Sequence, residues 1–488
     1  MKPRIAIVGS GISGLSAAHH LLGAADITLF EAGDYFGGHT HTVDVTLPTA
    51  TGLQTHGVDT GFLVYNERTY PGLIALFEAL QVSTVKSDMS FSVQVPHKNG
   101  KGALEWNGAN LNTVFAQRSN LFKPSFLNML RDVMRFNTLA TELAERNQDH
   151  ELAQPLSGFL FSHKFSDAFR DWYLLPMLGC IWSCPTDQML KFPVATMIRF
   201  CHNHGLIQVN NRPQWYTVAG GARHYVEKIL AGIADKRLNS PVLHIERDAH
   251  SVTLRTHAGS ERFDQVILAT HADQSLAMLA EPTLQEQSTL GAIRYHPNRA
   301  VLHTDTSVMP QKKLAWAAWN YERAAHDNTE STRVCLHYWL NLLQPLPFTQ
   351  DVIVSLNPVR EIDPAHVMGE YFKQMSGTFI LHLPYRGPLL ALQDLIGGQT
   401  DMMFASAAAA IPHIKSGRLR AFAVTSAQRL EPLAGLLDAD VQGAVGHLLA
   451  GPAGGGELVA PDEALEKSQE PVAMRDKLTS MGFKLREM

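Results

Sequence analysis

The chain has 488 residues, 45 % of them hydrophobic and 18 % charged, with a formal net charge of −5. That length holds two or three domains with large buried cores, and the mild negative charge gives no electrostatic reason to expect nucleic acid or an anionic membrane surface as a partner. Cys180, Cys184, Cys201 and Cys335 are few and scattered, and Cys180 and Cys184 have no matching Cys/His pair nearby, so buried free thiols are expected rather than a metal site. The first element predicted in chain order is a strand over Ile5–Val8, an apolar run with no polar break, as in a strand buried on both faces. It begins almost at the first methionine and leaves no room for a secretory leader, which makes the cytoplasm the expected location. No uninterrupted apolar run reaches the ~18 residues of a membrane helix; even Leu395–Ile411 is broken by Gln399, Thr400 and Asp401.

Gly9, Gly11 and Gly14 follow the first strand at once, with Ser13 inside the motif, and Leu15–Leu22 has the small and apolar spacing of a packed helix. Each glycine has its own physical role. Gly9 permits the tight turn, Gly11 lets backbone approach a pyrophosphate, and Gly14 lets the helix pack closely on the strand. The helix N-terminus then offers free N–H groups and a positive dipole end to the phosphates. Glu31 ends a second predicted strand 17 residues past Gly14, where a carboxylate can accept from a ribose hydroxyl and disfavours a 2′-phosphate. A dinucleotide is therefore expected, FAD or NAD rather than NADP.

Further along, Thr42–Thr46 alternates as a hairpin strand, and Val58–Asn66 reads as a loop returning toward the cofactor. Tyr70–Leu80 is helical in period, Met89–Val95 is a strand, and Asn112 to about Asn147 and Leu156–Ile181 form two helical blocks whose Met and Phe stripes read as core. A turn-rich stretch from Arg212 opens a helix at 222–234. Strands are expected over Pro241–Glu246, Ser251–Arg255 and Arg262–Thr270, and again over Ala300–Thr304, Leu314–Asn320, Val334–Leu340 and Val352–Leu356. Trp316, Trp319, His337 and Trp339 are candidates for a cavity wall, although most of them are expected to be simply packed or interfacial aromatics. Lys312 and Lys313 read as a solvated turn, and His271, His296 and His337 as ordinary structural histidines. No catalytic residue is assigned.

Glu31-Ala-x-x-x-x-Gly37-Gly38-x-Thr40 resembles the extended fingerprint of FAD-dependent amine oxidases and phytoene-desaturase-like flavoproteins. The resemblance implies FAD, contacted by Gly9, Gly11, Ser13, Gly14, Glu31, Gly37, Gly38 and Thr40. It also implies Val242 on the adenine side and Thr270 near the dinucleotide, with plain sheet residues as the lesser alternative. Asp59-Thr-Gly-Phe-Leu-Val-Tyr-Asn-Glu-Arg-Thr-Tyr-Pro71, Ser87–Val93, Tyr173–Met177, Ile181–Ser183 and the Arg212-Pro-Gln-Trp stretch resemble a bacterial family of NAD(P)/FAD-dependent oxidoreductases with an amine-oxidase-like fold. What this implies is a Rossmann-like α/β dinucleotide domain (about 1–65 and 212–275) with an inserted substrate domain of mixed sheet and helices (about 66–211 and 276–360). Its expected reaction is hydride removal from an amine or an unsaturated acyl-type substrate, in a chain with no integral membrane segment.

After residue 365 the chain changes character. His366–Gly377, Leu381–Gly387, Ala391–Asp401 and Ile411–Thr425 resemble the middle of a receptor of the Bug family of tripartite tricarboxylate transporters. The resemblance implies α/β units: a helix at 366–376, a strand at 379–383, helices at 388–396 and 407–415, and strands at 402–405 and Leu419–Val424. Tyr385-Arg-Gly387 would then lie near a ligand cleft. Ala450–Gly456 reads as a turn or linker and 462–482 as a helix. A chain of two parts is expected: residues 1–365 from a flavoprotein, and 366–488 a partial solute-receptor segment that replaces the usual C-terminal cover of the flavin. Binding of a carboxylate solute, or impaired catalysis, are the alternatives this arrangement raises.

Overall fold

The computed structural model describes residues 2–97, 102–146, 154–182, 186–208, 212–293, 295–323 and 334–376, with three short strands beyond them at 402–404, 420–423 and 448–450. Arg4–Val8 (β1) pairs in parallel with Asp26–Phe30 (β2) on one side and Gln265–Leu268 on the other, and Asp235–Arg237 extends the sheet beyond β2. Successive residues of β1 point to opposite faces. Ile5 and Ile7 pack with Leu15, Ala18, Val226 and Ile229, while Ala6 and Val8 pack with Phe30, Ile245, Leu254 and Phe263. Both faces are covered, which is why this strand carries no polar residue after Arg4.

The helix Ile12–Leu21 (α1) buries Gly14, Leu15 and Ala18 against the sheet. Thr42–Thr49 and Gly52–Asp59 form the expected hairpin. The stretch 262–270, expected as one strand, is two. Gly259–Phe263 closes an antiparallel sheet with Val252–Thr256 and His244–Arg247, and Gln265–Leu268 then joins β1. Asp264 makes the corner: its carboxylate accepts from the Arg4 N–H at 2.7 Å.

A seven-stranded mixed sheet builds the second half of the fold. Its order is Val367–Ser376, Tyr295–His303, Ile353–Leu356, Cys335–Trp339, Trp319–Glu322, Phe91–Pro96 and Ala103–Asn107. Helices from Pro124–Arg146 to Val194–Asn203 cover one face, burying Phe126, Phe136, Phe159, Phe169, Met129 and Met197. Each such side chain contributes roughly 1.5–3 kcal/mol, so the Met and Phe stripes are core, as read. Leu314–Asn320 departs from expectation: a 3₁₀ turn at Lys313–Ala315 precedes a shorter strand, Trp319–Glu322. The Asn320 side chain holds both the N–H and the C=O of Ala317, so those groups are closed off from a sheet ladder.

The helix expected at 366–376 is instead the strand Val367–Ser376, paired antiparallel along Tyr295–His303. The open edge of Tyr295–His303 offers backbone partners, and Arg299 clasps Glu370 across it at 2.8 and 3.0 Å, which outweighs local helical preference. The sheet therefore crosses residue 366. Met402–Phe404 and Arg420–Ala423 are strands as expected, joined through Leu448–Ala450. The expected elements at 379–383, 388–396, 407–415 and 462–482, and Tyr385-Arg-Gly387, lie outside the described residues. Among the described residues no helix is long and apolar enough to cross a membrane.

Candidate functional site

The glycine loop sits at the carboxyl end of β1, where its backbone is fixed from two sides. Gly9 has φ 101° and donates its N–H to Phe30 O at 2.8 Å. A methyl group at Gly14 would stand 1.9 Å from Gly9 O, and at Gly9 2.6 Å from Ala269 O, so the packing of the chain on itself excludes any side chain at either position. Gly37 and Gly38 are equally confined, against Thr40 O at 2.5 Å and Gly11 Cα at 2.9 Å. Gly11 differs: its φ is −64° and, among the described residues, nothing lies within 4 Å of where its Cβ would be. No described residue fills the space in front of Gly11. The first turn of α1 beside it has neither a side-chain cap nor an acidic residue, so its N–H groups and positive dipole end face that space.

Glu31 lies next to this mouth, half-buried. Its Oε2 accepts from the Ser10 N–H at 2.9 Å and from the Ser10 hydroxyl, and its Oε1 from the Gly33 N–H at 2.9 Å. Gly37 N–H in turn donates to Ser10 Oγ at 3.2 Å, which ties the second glycine pair to the first loop. Backbone bonds from Asn239 N to Gly33 O and from Ser240 N to Glu31 O, both 2.8 Å, draw the 239–242 segment alongside. A carboxylate oxygen can accept more than one hydrogen bond, so Glu31 keeps capacity toward an added hydroxyl.

The structure thus gathers Gly9, Gly11, Ser13, Gly14, Glu31, Gly37 and Gly38 on one rim, with Ser13 exposed on the first turn of α1. Thr270 closes the neighbouring strand end: Ala269 N–H donates to Val8 O at 2.8 Å, and Thr270 Oγ1 meets Ser275 Oγ at 2.8 Å. Two of the expected residues face inward. Val242 is buried in the cluster of Ala6, Val8 and Phe30, and the Thr40 hydroxyl is bonded to Tyr225 Oη on the helix Arg223–Leu230. Any contact of theirs with a cofactor would come from the backbone.

Other residues at the site were not singled out from the sequence. Asp59 is fully buried and accepts from Thr42 Oγ1, from the Ala222 N–H at 3.0 Å and from Gln344 Nε2 at 2.8 Å, pinning the hairpin to the Gly220-Gly221 turn. Burial pushes its carboxyl up to about 6 despite these donors. The ring of His41, just past the second glycine pair, lies between Tyr35 at 4.5 Å and Tyr371 at 4.7 Å. Tyr371 belongs to the strand that extends the sheet past residue 366. His271, read as a structural histidine, stacks on Tyr295 at 4.2 Å. The suggested aromatic wall resolves into packing: Trp316 and Trp339 meet edge to face at 5.2 Å over a small core with Val301, Met309 and Ile353, and Trp319 packs edge-on against Tyr338. Lys313 reaches Asp351 at 3.4 Å in an exposed turn, as read.

The sequence profile of the flavin containing amine oxidoreductase family matches residues 12–339, about two thirds of the chain. The chain belongs to that family. The family's flavin is what the loop geometry fits, and FAD is the cofactor it implies. A second profile, that of the tripartite tricarboxylate transporter family receptor, matches residues 355–463, as expected of a chain in two parts. A probable flavin-containing monoamine oxidase A of Dictyostelium discoideum is 25 % identical over 310 residues, 60 % of this chain and 59 % of that protein. Over 71 residues, 14 % of this chain, a UPF0065 protein of Pseudomonas knackmussii is 41 % identical, covering 42 % of that protein. The chain thus spans less than two thirds of the length of these curated relatives. Cyclohexylamine oxidase from Brevibacterium oxydans has the same fold at a TM-score of 0.52 and 17 % identity, over 77 % of this chain and 85 % of that one.

Proposed function

We propose that this chain is an FAD-dependent oxidoreductase that takes a hydride from a small-molecule substrate, an amine in the first instance and an unsaturated acyl-type compound in the second. The observation that carries the reading is the open space at Gly11, between an uncapped helix N-terminus and the Glu31 carboxylate. In this reading the N–H groups at Ser13 and Gly14 hold the pyrophosphate, Glu31 accepts from the ribose hydroxyls, and Gly37 and Gly38, packed against Thr40 and Gly11, pass beside the phosphates. Val242 and Thr270 flank the adenosine and the strand end, and Thr40 positions the loop through Tyr225. FAD, when bound, supplies the hydride acceptor; the protein supplies orientation, exclusion of water and electrostatics. The amine is favoured by the family description and by the monoamine oxidase relative.

We take residues 1–365 as the flavoprotein part and 366–488 as the receptor-like part, with the strand Val367–Ser376 shared into the first part's sheet. The receptor match is the support for a second reading, binding of a carboxylate solute by that part. The engagement of its first strand by Tyr295–His303 argues against an independent receptor lobe. A cytoplasmic location fits the free, buried Cys180, Cys201 and Cys335. Anaerobic mixing of the flavin-loaded protein with candidate amines and unsaturated acyl compounds tests the reading. Bleaching of the flavin by an amine supports it, and no bleaching by any member of either class sinks it.

A further inference from the structure

A second chemistry-bearing cluster lies away from the glycine loop, on the seven-stranded sheet. The strands Trp319–Glu322 and Cys335–Trp339 run antiparallel with Glu322 opposite Cys335. Cys335 and His337, two residues apart, fall on the same face. His337, Cys335 and Glu322 are 1 %, 3 % and 6 % exposed. His337 Nε2 lies 3.0 Å from Glu322 Oε2 and 3.5 Å from Cys335 Sγ, and Sγ lies 4.0 Å from the same Oε2.

We propose that Glu322, Cys335 and His337 form a binding site for a borderline divalent metal ion, Zn²⁺ by preference. The three distances define a triangle with a point about 2.1 Å from all three atoms, against ligand distances of about 2.0–2.2 Å to nitrogen and oxygen and about 2.3 Å to sulfur for Zn²⁺. An ion slightly out of that plane meets all three without movement of the strands. The ligand set mixes thiolate, imidazole and carboxylate, which suits zinc rather than calcium or magnesium. Without an ion, one hydrogen on Nε2 is shared between two acceptors, and three lone-pair atoms converge on a buried point.

The surroundings match those of a metal ligand set. His337 Nδ1 meets Ser355 Oγ at 2.6 Å, and the same oxygen meets His303 Nε2 at 2.7 Å. With the ion on Nε2, Nδ1 carries the hydrogen and donates it to Ser355, which fixes the ring in the tautomer the ion needs. The other Glu322 oxygen is held by Arg360 at 3.2 Å and by Gln94 Nε2 at 3.3 Å. Gln94 Oε1 is a buried acceptor with no hydrogen-bond partner among the described residues, and a water would complete a tetrahedral set. Arg360 is half-exposed. On binding, the Cys335 thiol and the His337 imidazolium, paired with Glu322 in the ion's absence, each lose a proton to solvent, His337 keeping its hydrogen on Nδ1, and the thiolate and carboxylate together balance the dication.

The test uses the full-length protein, stripped with a chelator and dialysed against Co²⁺ as a spectroscopic probe, then Zn²⁺. The site predicts about one Co²⁺ per chain, a thiolate-to-cobalt charge-transfer band in the near ultraviolet, and displacement by one Zn²⁺. Cys335→Ser removes the band, and His337→Gln lowers the bound metal at least tenfold with an unchanged circular dichroism spectrum. Should either variant unfold, the wild-type stoichiometry and band decide alone. Wild type that retains no Co²⁺ overturns the proposal and leaves a buried ion pair. A band that survives in Cys335→Ser overturns the assignment in favour of another thiol.

Discussion

Gly11 and Gly14 stand in the same turn of chain, yet substitution should separate cofactor binding at the first from folding at the second. Alanine at Gly14 sets a Cβ 1.9 Å from Gly9 O and 3.2 Å from Ala269 Cβ, contacts with backbone and a packed methyl that cannot rotate away. Overpacking of that kind costs about 3 kcal/mol, or roughly 6–12 °C in melting temperature for a unit of 150–250 residues. Alanine at Gly11 meets no described residue within 4 Å, at a φ of −64° that any residue adopts. Reduced freedom of the unfolded chain then makes it neutral or stabilising by about 0.4–1 kcal/mol. Its methyl occupies the space in front of the α1 N-terminus, however, and FAD affinity should fall at least tenfold, about 1.4 kcal/mol. Melting of the flavin-free proteins by circular dichroism, with FAD titration by fluorescence quenching, reads both quantities. Gly11→Ala with wild-type FAD affinity, or Gly14→Ala with wild-type melting, contradicts this division of roles.

Asp59 gives a pH signature. Its carboxyl is raised from 3.8 to about 6 by burial, so its contribution to stability is full below about pH 4 and is lost as pH rises through 6. The shift corresponds to about 3 kcal/mol; the stability advantage of wild type over Asp59→Asn should shrink by about that much between pH 4 and 7 in urea titrations, and a difference that is flat or grows with pH contradicts it. The strand past residue 366 gives another. A chain ending at 365 loses the pairing to Tyr295–His303, the Arg299–Glu370 clasp and the Tyr371–His41 contact, whereas one ending at 376 keeps them. The shorter chain should melt lower and aggregate through its bared edge, and equal melting of the two would show that the strand contributes nothing.

What is legible in the sequence is local. Ile5–Val8 is apolar because both its faces are covered, and Gly9, Gly14 and Glu31 carry their spacing because each touches a residue within one βαβ unit. Long-range pairing is less visible. Asp235–Arg237 and Trp215–Val218 are short strands whose partners lie far off in the chain, so no local pattern announces them. Residues 366–376 carry enough helical preference to mislead, and only the free edge of Tyr295–His303 makes them a strand. The Thr40 hydroxyl and the Val242 side chain turn into the core, which motif spacing does not encode. The Glu322, Cys335 and His337 cluster is hidden for the same reason: cysteine spacing alone argues against a metal, while antiparallel register brings a glutamate from the neighbouring strand. Asp59 stands in plain view within a motif, but its role emerges only with Ala222 and Gln344 beside it.

Whether the chain carries a flavin is decided by the absorption spectrum of the purified full-length protein, before and after incubation with FAD. A yellow protein is expected, with the two visible bands of an oxidised flavin and about one FAD released per chain on denaturation. A colourless, folded protein that takes up no FAD on reconstitution would contradict the assignment.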